Sequence, residues 1–176
     1  GDRRRRHEVR RVGRGVVERD VLPRHEGGLE RLAGLRGRRE DLRTLVPDVA
    51  SFVYAASEAT YPLSRAMLLE LAKTFSGIVN GGDVVDSLEG KWLERSFPGR
   101  LAVTPILKGA AEQVWTEAQK IQAHVRLFDA IASVRQIDVA DAASLLFHAL
   151  VAKDGQRLLR CARIIETIDE DAVTKA

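Results

Sequence analysis

The chain has 176 residues, 45% of them apolar and 30% charged, with a formal net charge of +3, and a chain of that length buries roughly 70% of its unfolded surface. One cysteine, Cys161, excludes an internal disulfide and suits a reducing compartment. No run of 18 apolar residues occurs and no apolar stretch follows the basic start, so neither a membrane span nor a secretory leader is signalled and a cytoplasmic location is expected.

Charge is unevenly placed. Residues 1–43 hold 14 Arg, no Lys and 8 acidic residues, a net +6, together with seven of the fourteen glycines and no Trp, Tyr or Phe. Residues 44–176 hold 14 basic and 17 acidic residues, a net −3. The first segment reads as a basic, weakly ordered flank. Its arginines could neutralise phosphates, but it offers no Trp, Tyr or Phe on which a base would stack. Out-of-frame translation of GC-rich DNA would give the same composition. Val9, Val12 and Val16, then Leu29, Leu32 and Leu35, are spaced for two short amphipathic helices.

From residue 44 the periodicity sharpens. Pro47 suits the first turn of a helix carrying Val46, Val49, Phe52, Val53 and Ala56, apolar almost all round and so expected at the centre of the core. Tyr61-Pro62 breaks it. Ser64 is placed as N-cap of a second helix with Met67, Leu68, Leu71 and Phe75 on one face. Asn80-Gly81-Gly82 reads as a turn, and a short third helix over 83–89 turns Val84, Val85 and Leu88 inward until Gly90 stops it. The period then changes to two. The segments 92–95 and 100–103 flank Ser96-Phe97-Pro98-Gly99, where Pro and Gly fit the centre of a type II turn. Three helices followed by a hairpin is the order of a winged helix.

Thr104-Pro105 restarts helix, with Ile106, Leu107, Ala110 and Val114 on its face. Thr116 with Gln119 resembles a capping box and opens a long helix bearing Ile121, Val125, Phe128 and Ile131. Asp138 caps the next, whose stripe is Val139, Ala143, Leu146 and Leu150. Lys153-Asp154-Gly155 ends it, and a last helix presents Leu158, Ala162, Ile165 and Ile168. Short connections between such helices predict antiparallel α-hairpins of an α-solenoid or TPR-like type. The expected fold is therefore mainly α: a basic flank over 1–43, a winged-helix domain over 44–104 and a helical-repeat-like segment over 105–176. The start at Gly1, a single Met at position 67 and a cap-like Asp169–Asp171 read as an internal piece of a longer chain.

Few residues point to chemistry. Gly82 and Gly90-Lys91 are too far apart for a P-loop, and Trp92 stands where Ser or Thr is needed. His124 is placed on a polar helical face with Lys120 and Glu117, and His148 on one with Ser144 and Asp141, both half-exposed and neither a ligand. Cys161 lies on an apolar stripe with no histidine in register, as a core thiol would. The third helix carries Asp83, Asp86 and Glu89 and no base, which would repel phosphate within a Debye length. Arg95 and Arg100 at the hairpin tip cannot supply the usual phosphate affinity alone. These five residues are therefore assigned to contact with another polypeptide, with no catalytic, cofactor or metal residue in the chain.

The stretch Leu88-Glu89-Gly90-Lys91-Trp92-Leu93-Glu94, with Gly99-Arg100-Leu101-Ala102-Val103-Thr104-Pro105-Ile106-Leu107 after it, resembles the winged-helix region of STAND-class signalling NTPases. The resemblance covers about residues 60–168. It implies a non-catalytic regulatory segment: a winged-helix lid that leans on a nucleotide-binding domain, then the start of a helical-repeat sensor. ATP would bind the upstream domain, not this chain, and the partners would be that domain and a protein on the repeat, with no membrane. The flank before residue 44 does not match. The histidine by which some such winged helices sense nucleotide has no counterpart, since no histidine lies between residues 26 and 123. The competing expectation is a DNA-binding winged-helix transcriptional regulator.

Overall fold

The computed structural model describes residues 45–107 and 110–174; the basic segment 1–43, with its two amphipathic stretches, lies outside the described residues. Among the described residues the chain is mainly helical with one small antiparallel sheet. Helix α1 (Pro47–Ser57) is followed by a two-residue strand β1 (Leu63–Ser64), then α2 (Arg65–Lys73) and α3 (Gly81–Leu88). A hairpin of β2 (Leu93–Phe97) and β3 (Arg100–Val103) leads through a 3-10 turn (Pro105–Leu107) to the short α4 (Ala110–Val114). Three longer helices complete the order: α5 (Glu117–Ala132), α6 (Val139–Val151) and α7 (Gly155–Thr174). Among the described residues no helix is long and apolar enough to cross a membrane.

Local signals set the boundaries. Pro47 occupies the first turn of α1. Ser64 accepts from the Met67 amide, Thr116 and Gln119 bond reciprocally, and Asp138 does the same with Asp141, so three helices start at side-chain caps. Helix α3 begins two residues earlier than its acidic pattern suggests, because the Asn80 side chain accepts from the Gly82 and Asp83 amides. A Cβ on Gly81 would come within 2.9 Å of the Ala72 Cβ, so glycine there lets α3 approach α2. In the sheet β3 lies between β1 and β2, with Leu63 opposite Leu101 and Leu93 opposite Val103. Gly99 takes φ 74°, as the third position of a type II turn requires. Between Arg95 and Phe97 the register shifts by one residue, which leaves Ser96 as a bulge.

One buried cluster joins Phe52 and Val53 of α1, Leu68 and Leu71 of α2, and Leu127 and Phe128 of α5. It crosses residue 104, the expected edge of the winged-helix domain. Phe52 meets Phe75 edge-on at 6.2 Å, and each such fully buried side chain contributes about 1.5–3 kcal/mol. Helix α5 packs on α1, α2 and α6, and α6 packs between α5 and α7.

Several faces differ from expectation. Val46 and Val114 are exposed, at 59% and 61%, and Ala111 rather than Val114 points inward. On α7, Cys161 is buried while Ala162 is exposed, and the helix runs unbroken through 169–171, so no new cap forms there. The largest change is on α6. Val139 (75% exposed), Ala143, Leu146 and Leu150 point outward, and the buried face is Asp141, Ala142, Ser144, Leu145, His148 and Ala149. Both faces of α6 carry apolar groups, so burial alone does not choose between them. Its polar groups do, because each finds a partner inside.

Helix α6 ends in a Schellman motif: the Lys153 amide donates to Leu150 O (3.1 Å) and the Asp154 amide to Ala149 O (3.2 Å). Lys153 takes φ 52° there, a left-handed conformation in which a side chain is costly. Lys153→Gly is expected to raise stability by about 1 kcal/mol in urea unfolding. In the same assay Leu145→Ala should cost about 2–5 kcal/mol and Leu146→Ala less than about 1 kcal/mol, the reverse of what the hydrophobic stripe predicts.

Candidate functional site

The acidic segment and hairpin carry the five residues assigned from sequence, and three of them, Glu89, Arg95 and Arg100, line one cleft with Arg65. Asp86 of α3 is bridged by both terminal nitrogens of Arg65, with Nη2 3.1 Å from Oδ2. Hydrogen bonding to Arg65 holds the Asp86 carboxyl below its usual range. Glu89 accepts from Arg95 Nε at 2.6 Å, and Asp83 accepts from Asn80 Nδ2 at 2.7 Å. Two of the three carboxylates thus face a guanidinium, and the repulsion expected of a bare −3 segment is reduced accordingly.

Arg100 is not displayed at the hairpin tip. Its side chain is only 16% exposed and turns toward the start of α6. Nη1 donates to Asp141 Oδ1 at 2.6 Å and to Pro62 O at 3.0 Å; Nη2 donates to Asp141 Oδ2 at 2.8 Å and Asp138 Oδ2 at 2.7 Å. The guanidinium lies 5.3 Å from the centre of the Tyr61 ring, which stacks on Phe97. The paired acids raise the Arg100 pKa, with the Asp141 hydrogen bond as the largest cause. Asp138 caps α6 and Asp141 stands in its first turn, where the helix dipole also favours negative charge.

The two histidines expected on half-exposed faces are instead buried and in contact. His124 of α5 is 6% exposed and His148 of α6 is 0% exposed, with their Nδ1 atoms 2.8 Å apart. Burial lowers the His124 pKa, and burial together with its neighbour pushes His148 down to about 3. Between these points Thr60 and Ser144 share a hydrogen bond of 2.8 Å. Asp141, Ser144 and His148 stand at i, i+3 and i+7, on one face of α6. That spacing was visible in the sequence, but nothing there named the partners on other elements, and a polar face without partners belongs in water.

Among the described residues no group of three or more His, Cys, Asp and Glu could hold a metal ion. The Cys161 thiol is buried, which pushes its pKa up and disfavours the thiolate. A cleft of about 300 Å³ beside the hairpin is lined mainly by apolar groups, among them Ala56, Pro62, Leu68, Leu93 and Leu101.

Removing one member of a buried ion pair strands the other. Arg100→Met is expected to cost about 3–5 kcal/mol by chemical denaturation, and adding Asp141→Asn should recover at least about half of it. Additive losses in the double variant would mean that the two groups do not act as a pair. Comparisons with protein-family models, with curated proteins and with solved structures give no match.

Proposed function

We propose that the chain works by contact, as the winged-helix lid and the first part of the helical sensor of a STAND-class signalling ATPase, with no catalysis of its own. The observation that carries the protein-contact reading is the outward apolar stripe of α6: Val139 at 75%, Leu146 at 42% and Leu150 at 56% exposed, with Leu159 of α7 at 58%. Apolar groups clustered on one face of a soluble helix suit a protein partner more than water. The element order supports the winged helix, since β1 falls between the first two helices and pairs with the second strand of the hairpin. Helices α5, α6 and α7, joined by short connections, suit the beginning of a helical repeat. In this reading the winged helix docks on a nucleotide-binding domain differently in its two states, and a partner on the helical segment biases the equilibrium between them.

The pairing of Asp86 and Glu89 with arginines favours a second reading, a DNA-binding regulator, by removing part of the repulsion from phosphate. Fluorescence anisotropy with a labelled 30-base-pair duplex separates the two. The contact reading expects no binding up to about 10 µM protein at moderate salt. Binding at micromolar concentration or tighter that weakens steeply between 50 and 200 mM salt would establish the regulator instead, and deleting residues 1–43 would tell the basic flank from the remainder. The family assignment has its own test in the encoding DNA. A Walker A motif is expected about 150–250 residues upstream, one domain and a linker away, and an upstream frame without one would overturn the assignment.

A further inference from the structure

We propose that the His124–His148 contact is an acid-sensitive latch that holds α6, with α7 packed on it, against α5. The inference is independent of the family reading.

Its geometry makes an added proton costly on either ring. Between two Nδ1 atoms 2.8 Å apart there is one hydrogen, so one ring donates and the other accepts. His124 Nε2 lies 4.0 Å from the Glu58 carboxylate, whereas His148 Nε2 is buried without a hydrogen-bond partner. The arrangement that strands no N–H in the dry site has His148 Nδ1–H donating to His124 Nδ1, with His124 Nε2–H turned toward Glu58. His148 Nε2 then keeps a bare lone pair, a smaller burden in a dry site than an orphaned N–H. A proton added to His148 goes to Nε2, where no acceptor waits. A proton added to His124 goes to Nδ1, against the hydrogen already there. The first buries a charge and an N–H without an acceptor, the second breaks the contact, and both favour the open state.

The charged groups around the pair do not offset this. From the end of α1 comes Glu58; from α5 comes Glu117, which raises the His124 pKa but by less than burial lowers it, and which is itself shared with Lys120 at 3.6 Å. On α6 itself Asp141 is held by Arg100 and Ser144 by Thr60. Phe147 sets its ring edgewise to both imidazoles, and α7 contributes the Cys161 thiol, bonded to Ala142 O. Folded histidines with lowered pKa values stabilise the closed state above the ordinary value of about 6.5, and that stability is lost as pH falls from there toward about 3. Between pH 7.5 and 5.0 the opening constant should rise about 30-fold for one histidine and up to about 1,000-fold for two.

Hydrogen exchange of the full chain, followed by mass spectrometry and corrected for the intrinsic rate at each pH, reads this directly. Protection over 139–151 should fall at least about 30-fold between pH 7.5 and 5.0, while that of Arg65–Lys73 changes less than about threefold. In the His124→Leu/His148→Leu variant the difference between the two pH values should vanish. Unchanged protection of 139–151, an equal loss in α2, or the same loss in the variant would each overturn the latch. A carbon-13 titration of the wild-type imidazoles serves if the variant does not fold: a His148 ring titrating near 6.5 in the native protein rejects the proposal, and one that stays neutral through pH 5 supports it.

Discussion

The orientation of α6 is decided by polar contacts rather than by its apolar stripe, and much of the remaining arrangement follows from that. A 13-residue helix carrying one acid and one histidine would ordinarily turn both to water. Here Asp141 meets Arg100, Ser144 meets Thr60 and His148 meets His124, so a strand, a loop and a helix grip one face. Each such contact contributes about 0.5–3 kcal/mol when paired and costs a comparable amount when broken in a dry setting. Ala142, Leu145 and Ala149 fill the spaces between them, and the stripe on the other side is left to the surface. Helix α7 follows: it seats Cys161 against α6 and reaches α5 through Arg157, whose Nη2 lies 2.6 Å from Asp129.

The two halves expected from sequence share more than a connection. Helix α5 contributes Leu127, Phe128 and Ile131 to the cluster built by α1 and α2, and its opposite edge receives α6. A change in the position of α6 is therefore felt first at α5 and at the hairpin, the two elements that α6 contacts through titratable or charged groups. The charged and titratable contacts of α6 thus lie at its internal joints, while its outer face is nearly free of charge.

Much of the local structure was legible in the sequence, because local structure is written in neighbouring residues. Ser64, Thr116 and Asp138 cap as their spacing foretold, Pro98-Gly99 makes the hairpin turn, and Phe52, Leu68 and Leu71 are buried where the 3.6 period put them. What failed was the choice of face on helices whose both sides are apolar. On α6 the period supports two answers, and the deciding partners lie 24 to 84 residues away in sequence. The same reason explains the histidines: each was placed correctly on a polar face, but that face is polar in order to meet another one. Arg100 looked like a tip residue for want of any sign that Asp138 and Asp141 would come to it.

The bulge at Ser96 has a reach beyond the hairpin. An extra residue bends its strand and re-aims the side chains beyond it, and the first of these is Phe97, which pairs with Arg100 and stacks on Tyr61. Arg100 lies over the same Tyr61 ring while its guanidinium reaches Asp138 and Asp141. Deleting Ser96 would leave Phe97 opposite Arg100 but remove the bend that lays its ring on Tyr61. The footing of a helix some forty positions downstream thus includes one supernumerary residue in a five-residue strand.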